Sequence, residues 1–299
     1  MTESAEYQPE QDSRGGAASP MVRHLAEVAA AMRKRLDACR EEREDPKVES
    51  VHHLRTGTRR VEATLETLAR EAGTRGLGET AEEARQRWLR QLKKVRRAAG
   101  VVRDLDVHRE LLAENFLPPS DTAPDKIAAE LAEATSTAAG SDMITPLAEQ
   151  ARTLDGWLKS RRAAAAGTLS KTLDDHAKRL LEAEEQFMMA VAQRRSIASR
   201  AHRPVTRLAL EDYLRLVDAM PLLDRENLHD FRKGAKKSRY IAESDESDPA
   251  AKAIAKTIKR VQDAIGKWHD WEMVAGEAGE ALGDDGDALH AELLARAQR

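Results

Sequence analysis

From Met21 onward, apolar residues recur every three or four positions, which is the spacing of one face of an α-helix. Turn-forming residues interrupt the pattern, and no segment alternates apolar and polar positions long enough to predict a strand. The pattern predicts an all-α protein with helices over 21–44, 47–72, 78–115, 125–139, 143–163, 168–198, 205–220, 225–243, 249–280 and 286–297. The preceding Met1–Pro20 lacks this periodicity, which predicts a disordered tail.

A short motif within the second predicted helix recurs in the helix predicted over 225–243. Residues 51–60 read VHHLRTGTRR and residues 228–237 read LHDFRKGAKK. Both contain a histidine, an arginine three positions later, a glycine two positions after that, and then a pair of basic residues. His52 therefore corresponds to His229, and Arg55 corresponds to Arg232. An internal repeat of this kind predicts two similar structural units.

A second pair of matching segments follows in the same order. Residues 93–107 align with residues 259–273, so Gly100 corresponds to Gly266 and Asp104 to Asp270. Two matched segments in one order predict that a single domain over 21–299 has two helical halves, at about 21–199 and 200–299.

The repeated motifs give the predicted helices strongly basic faces. Seven basic residues and no acid lie between Arg85 and Arg97. Guanidinium forks and lysine ammonium groups match phosphate oxygens, and basic residues one helical turn apart form a ladder suited to a linear polyanion. The candidate polyanion contacts are His52, Arg55, Arg59, Arg60, Lys93, Lys94, Arg97, His229, Arg232, Lys236, Lys237, Arg239, Lys259 and Arg260.

Composition limits the other classes of function. The net charge is −3, so polyanion binding requires that the basic residues focus their field in a groove. The single cysteine, Cys39, excludes an intrachain disulfide framework, and no apolar stretch is long enough to cross a membrane. No secretory leader is apparent at the N-terminus, so we expect a cytoplasmic protein.

The two repeated motifs resemble the signature of the CHAD family, the conserved histidine α-helical domain. The resemblance rests on the His-x-x-Arg-x-x-x-basic-basic pattern in both halves and on the segment from Gly100 to Val107, and it extends over 21–299. It implies two four-helix bundles around a pseudo-two-fold axis, with basic helix faces lining a central cavity or pore. It also implies binding of inorganic polyphosphate, often at polyphosphate granules; phosphate or sulfate ions could substitute for the polymer.

The second half departs from this pattern. Asp263 stands where the first half has Arg97, and His269 stands where it has Arg103. We therefore expect an asymmetric site in which the first half contributes more of the affinity. We expect Asp104 to orient an arginine, with Arg103 as its partner.

The sequence contains no phosphate-binding glycine loop, no nucleophile elbow and no carboxylate cluster suited to Mg²⁺. We therefore predict a binding protein with no catalytic residue, no metal and no cofactor. Two alternatives remain. Nucleic acid would also contact basic helices, although only 3% of the residues are aromatic and could stack on bases. A helical scaffold would instead recruit protein partners.

Overall fold

The structure, a computed structural model, describes residues 20–72, 76–117, 139–193, 204–245 and 248–298. Every regular element within these ranges is helical, which confirms the predicted all-α class. The α-helices are α1 (Pro20–Glu42), α2 (Val48–Ala72), α3 (Glu79–Phe116), α4 (Ala139–Ala192), α5 (Val205–Ala219), α6 (Leu228–Ala242), α7 (Pro249–Leu282) and α8 (Asp287–Ala297), with a 3-10 turn over Gly283–Gly286. Pro20, the last residue of the tail predicted over Met1–Pro20, begins α1. Residues 1–19 and the helix predicted over 125–139, except its last residue, lie outside the described residues.

Helix α4 corrects one prediction. The sequence predicts separate helices over 143–163 and 168–198, but the structure has a single continuous helix from Ala139 to Ala192. The expected break falls in an alanine-rich segment, and alanine has the highest helix propensity. The one helix-weakening residue there, Gly167, costs only about 1 kcal/mol relative to alanine. Burial of Ala166 and Leu169 on either side of it offsets this cost.

The first half of the chain encloses the largest apolar core. Helices α1, α2 and α3 pack together with the C-terminal part of α4. Trp88 of α3 and Phe187 of α4 are fully buried in this core, with ring centroids 5.8 Å apart. The apolar stripe of each helix faces this core, so the basic stripes of α2 and α3 lie on the opposite side.

The second half has smaller cores. Helices α5, α6 and α7 pack around Phe231, Ala235, Ile258 and Ile265. Helix α8 is short, and it packs mainly on α7.

Two contacts join the halves. Helix α2 packs on α6 where Ala63 and Tyr240 share a small buried cluster. The N-terminal part of α4 packs on α3, α7 and α8 through buried residues that include Leu154, Leu158 and Val274. The basic stripes of α2 and α6 are thereby brought together beside α3. None of the described helices is long and apolar enough to cross a lipid bilayer.

Candidate functional site

Helices α2, α3 and α6 meet around a basic cleft of about 260 Å³, which we call the central cleft. Seven arginine and lysine side chains line it together with one histidine, His229, and one acid, Asp104. Its lining residues are Arg55, Arg59, Arg96, Arg97, Gly100, Val101, Asp104, His229, Arg232, Lys233 and Lys236.

A second cleft of about 400 Å³, the adjoining cleft, continues the first. Both clefts are lined by Arg59, Arg96, Arg97 and Lys233. The other residues that line the adjoining cleft are Glu62, Ala63, Glu66, Lys93, Lys237 and Tyr240. Because they share four basic residues, the two clefts form one continuous surface, which we call the basic groove.

Helical periodicity explains why these side chains point into the groove. In α2, Leu54 and Val61 are fully buried, while Arg55 and Arg59 lie one turn apart on another face. In α6, Phe231 and Ala235 are buried, and Arg232 and Lys236 follow each of them by one position. The same residues that pack the core therefore fix the direction of the basic stripes.

Several cations of the central cleft have no acidic partner. Among the residues that the structure describes, none of Arg59, Arg97, Arg232 and Lys236 forms an ion pair. The Nε atoms of Arg55, Arg59 and Arg232 are also buried without a hydrogen-bond partner. A buried N–H group of this kind destabilises the protein unless an acceptor forms a hydrogen bond with it, so the cleft is chemically suited to an anion.

Burial and the crowding of like charges lower the pKa values of several of these groups. Burial, followed by the charges of Arg232, Arg55 and Arg59, lowers the pKa of Lys236 from 10.5 to about 7. Burial and the charge of Arg55 also lower the pKa of Arg59. The pKa of His229 is lowered by burial first and then by the charge of Lys233. Each of these groups would hold its proton more firmly beside an anion.

Three carboxylates partly neutralise the positive charge of the groove. Asp104 forms an ion pair with Arg55 at 3.4 Å, Glu62 pairs with Arg96, and Glu66 pairs with Lys237. The sequence analysis expected Arg103 as the partner of Asp104.

The structure instead pairs Arg103 with Glu110, at 3.9 Å. These residues lie seven positions apart, two turns along the same face of α3, whereas the sequence neighbours 103 and 104 diverge by about 100°.

Within the described ranges, no three histidine, cysteine or carboxylate side chains cluster as a metal site would require.

Contacts at matched positions of the two repeats recur. The Nε atom of Arg55 lies 3.5 Å from the position that a Cβ would take at Gly100. At the corresponding pair, the Nη2 atom of Arg232 lies 2.8 Å from the Cβ position at Gly266. The absence of a side chain at both glycines lets each guanidinium lie against the neighbouring helix.

A second contact recurs where α2 crosses α6. Arg60 of α2 pairs with Glu243 at 3.4 Å, and Lys237 of α6 pairs with Glu66 of α2. Arg60 and Lys237 are matched in the repeat, and Glu66 and Glu243 lie at the same distance from their motifs. The two ion pairs are therefore reciprocal.

The structure brings many, but not all, of the predicted contacts together. The predicted residues that line the basic groove are Arg55, Arg59, Lys93, Arg97, His229, Arg232, Lys236 and Lys237. Those that line neither cleft of the groove are His52, Arg60, Lys94, Arg239, Lys259 and Arg260.

Each predicted residue outside the groove has another environment. His52 is exposed as a whole, but partial desolvation of its imidazole and then the charge of Arg103 lower its pKa. Arg239 donates to Glu243 at 2.6 Å, in the same carboxylate cluster as Arg60.

The remaining ones lie on the solvated faces of α3 and α7. Lys259 pairs with Asp263 at 2.6 Å, and Arg260 is exposed. Lys94 is exposed on the side of α3 near His176 of α4. The pKa of His176 is lowered first by burial and then by the charge of Lys94.

The structure also adds residues that the sequence analysis did not select. Lys233 lies one helical turn from both His229 and Lys237, so helical spacing alone places it on the same face. Its counterpart in the first repeat is Thr56, which is why comparison of the repeats does not identify it. Arg96 likewise lies one turn before Gly100.

Comparisons with known proteins agree with this architecture. The family profile described as CHAD domain matches residues 23–278. The fold is similar to that of PptA from Streptomyces chartreusis, with a TM-score of 0.62 and 17% sequence identity, covering 94% of this chain and 96% of that one. It is also similar to the CHAD domain from the plant Ricinus communis, with a TM-score of 0.55 and 17% identity, covering 98% of this chain and 91% of that one. No curated protein sequence matches the chain significantly. Because the family profile covers most of its length, the chain belongs to the CHAD domain family.

Proposed function

We propose that this protein binds inorganic polyphosphate in the basic groove without cleaving it. The observation that carries the proposal is the group of basic side chains in the central cleft, Arg59, Arg97, Arg232 and Lys236, that have no acidic partner among the described residues. They come from three helices and converge on one space. A ligand with closely spaced phosphate oxygens would supply the missing acceptors.

The shape of the groove favours a linear polyanion over a single small anion. The two clefts adjoin, so a chain leaving the central cleft next meets Lys93 and Lys237 in the adjoining cleft. Both arginine and lysine side chains line this path, and neither needs a particular base or sugar. The contacts that such a polymer would make are charge-assisted hydrogen bonds, each contributing about 1.5–3 kcal/mol when buried.

We further propose that the two halves are pseudo-symmetric bundles that share this cavity. The reciprocal ion pairs between α2 and α6, and the matched contacts of Arg55 with Gly100 and of Arg232 with Gly266, support this arrangement. The symmetry is incomplete, because Asp263 neutralises Lys259 where the first half offers the unpaired Arg97. The first half would therefore contribute more of the affinity.

The two alternative functions would require other features of the molecule. Nucleic acid would bind the same cations, but among the residues lining the groove only Tyr240 and His229 carry an aromatic ring, so stacking of bases has little support. A scaffold would bind its protein partner even without the basic stripes. We place the proposed binding in the cytoplasm, at polyphosphate granules, and without a cofactor.

The deciding experiment measures binding of long-chain polyphosphate across a salt series, beside DNA and RNA of similar charge. The test variant is Arg55→Glu/Arg59→Glu/Arg232→Glu, and the matched control is Lys94→Glu/Lys256→Glu/Arg260→Glu. The control changes the net charge equally at exposed residues outside both clefts. Helicity of both is checked by circular dichroism.

We expect tight, polyphosphate-selective binding that falls steeply with salt, collapses in the test variant and largely persists in the control. Equal affinity for all three polymers would favour the nucleic-acid alternative. No binding at low salt would overturn the proposal and leave the scaffold.

A further inference from the structure

Lys236 occupies an unusual position within the central cleft. It is partly buried on α6, and cationic groups surround it from two helices, namely Arg55 and Arg59 of α2 and Arg232 of α6 itself. On α7, Asp270 acts in the opposite sense but forms no ion pair with Lys236. Burial in a cleft that Lys236 shares with these three guanidinium groups therefore disfavours its ammonium form, and Asp270 opposes the effect only in part.

The remaining charged groups of the cleft do not correct this imbalance. Helix α3 adds Arg96 and Arg97 together with Asp104, but Asp104 is already paired with Arg55 and Glu62 with Arg96. Helix α6 adds His229 and Lys233 at the rim. The lysine is therefore close to half protonated at neutral pH, with a pKa of about 7.

We propose that Lys236 takes up a proton when a polyanion enters the central cleft, so that anion binding and protonation of this lysine strengthen each other. The inference rests on the proposed function of the groove and deepens it by making the affinity depend on pH. Phosphate oxygens placed among the arginines would cancel the repulsion that disfavours the ammonium. The neutral amine would then become a charged ammonium that donates to the ligand, beside the arginines and Lys233.

The thermodynamic linkage between proton binding and anion binding determines the sign and the size of the change in affinity with pH. The free lysine has a depressed pKa, and an anion raises it, so the complex holds more protons than the free protein in the window above pH 7. Affinity is therefore highest at or below neutral pH and falls as the pH rises. With one linked proton, the affinity should fall roughly tenfold between pH 7 and pH 8.5.

Histidines near the cleft could also take up protons, but in another pH range. The pKa values of His229 and His269 are lowered from 6.5, by burial first and then by neighbouring cations. An anion would raise these pKa values as well, but it would do so from a lower starting value than that of Lys236. A measurement at pH 8 therefore isolates the lysine.

The test is isothermal titration calorimetry of the full chain with long-chain polyphosphate at pH 8, in buffers that differ in ionisation enthalpy. The slope of the observed enthalpy against buffer enthalpy gives the number of protons taken up. Lys236→Arg keeps a positive charge that does not titrate in this range, and Lys94→Arg makes the same exchange at an exposed lysine outside the groove.

We expect uptake of about one proton by the wild type and by Lys94→Arg, and close to none by Lys236→Arg, whose affinity also loses its decline between pH 7 and pH 8.5. Uptake that persists in Lys236→Arg, or tight binding by the wild type with no uptake at pH 8, would overturn the inference and leave the proposed function standing. Absence of binding at every pH would overturn both.

Discussion

The guanidinium of Arg232 lies against the backbone of Gly266, with its Nη2 atom only 2.8 Å from the position of a Cβ. An alanine at position 266 would therefore push the guanidinium out of the central cleft, since the side-chain end yields more easily than the helix. We expect Gly266→Ala to weaken polyphosphate binding about fivefold, equivalent to roughly 1 kcal/mol. Titration with polyphosphate at fixed salt measures the change.

Gly100→Ala is the matched control for this substitution. At Gly100 the corresponding Arg55 Nε atom lies 3.5 Å from the Cβ position, an ordinary contact that needs no displacement. We expect this variant to keep its affinity within twofold and to gain about 0.5–1 kcal/mol in unfolding free energy, because alanine is the better helix former. Equal loss of affinity in both variants would contradict the steric argument.

Lys236 should also set the pH dependence of stability in the ligand-free protein. Its pKa of about 7 in the folded protein is far below the value near 10.4 in an unfolded chain. Between these two values the unfolded state binds more protons, so this lysine makes the folded state more stable as the pH rises from 7 to 10. Below pH 7 its full destabilising effect is present.

Lys236→Met tests this sign. We expect the variant to be more stable than the wild type by about 1–2 kcal/mol at pH 7, with the difference shrinking towards pH 10, while polyphosphate affinity falls. Urea unfolding at pH 7, 8.5 and 10 without ligand measures the effect. A variant that is less stable at pH 7 would show that packing of the lysine stem outweighs its charge.

Much of this arrangement follows from the sequence because the repeat ties distant segments together. Arg55 and Arg232 could be matched from the motifs alone, and helical spacing then gives the direction of their side chains. Lys93 and Lys259 were matched in the same way, yet only Lys93 lines the groove. The sequence could not show that α6 lines the groove together with α3, because this arrangement depends on how the two halves pack against each other.

Local rules also failed where tertiary packing decided the outcome. The alanine-rich segment before Gly167 was expected to separate two helices, whereas burial of Leu169 keeps α4 continuous. Similarly, Lys233 was missed because its repeat counterpart, Thr56, is uncharged. The case of Lys233 shows that comparison of repeats identifies shared features and misses those that belong to one half.

The carboxylates of the adjoining cleft should restrain polyanion binding. Glu62 lies in this cleft and pairs with Arg96, so its charge repels a phosphate that approaches the same guanidinium. We expect Glu62→Gln to raise polyphosphate affinity about threefold to tenfold at low salt, with a smaller gain at high salt because screening weakens the repulsion. Competition binding at two ionic strengths measures both values.

Glu243→Gln serves as the control for Glu62→Gln. Glu243 pairs with Arg60 and Arg239 but lines neither cleft of the basic groove. The same loss of negative charge there should change the affinity less than twofold. An equal gain from both variants would mean that net charge, rather than position in the groove, governs binding.

Arg162 should stabilise the fold without taking part in binding. It lies within α4, and its Nε atom donates to Asp106 at 2.7 Å while its Nη2 atom donates to the carbonyl oxygen of Pro46 at 2.6 Å. The side chain of Asp106 is almost completely buried, so Arg162→Met would leave a carboxylate unpaired in the core. We expect a loss of about 3 kcal/mol in unfolding free energy.

The double variant Arg162→Met/Asp106→Leu separates a lost pair from a stranded charge. Because replacing both partners by apolar groups removes the uncompensated carboxylate, we expect it to recover at least half of the stability lost in Arg162→Met. Urea unfolding at pH 7 measures all variants, and polyphosphate titration of the folded proteins should give wild-type affinity. If the double variant is as unstable as Arg162→Met, the bonds of Arg162 to Pro46 and Asp45 and the packing of the arginine stem, rather than the buried ion pair with Asp106, hold α4 against the loop between α1 and α2.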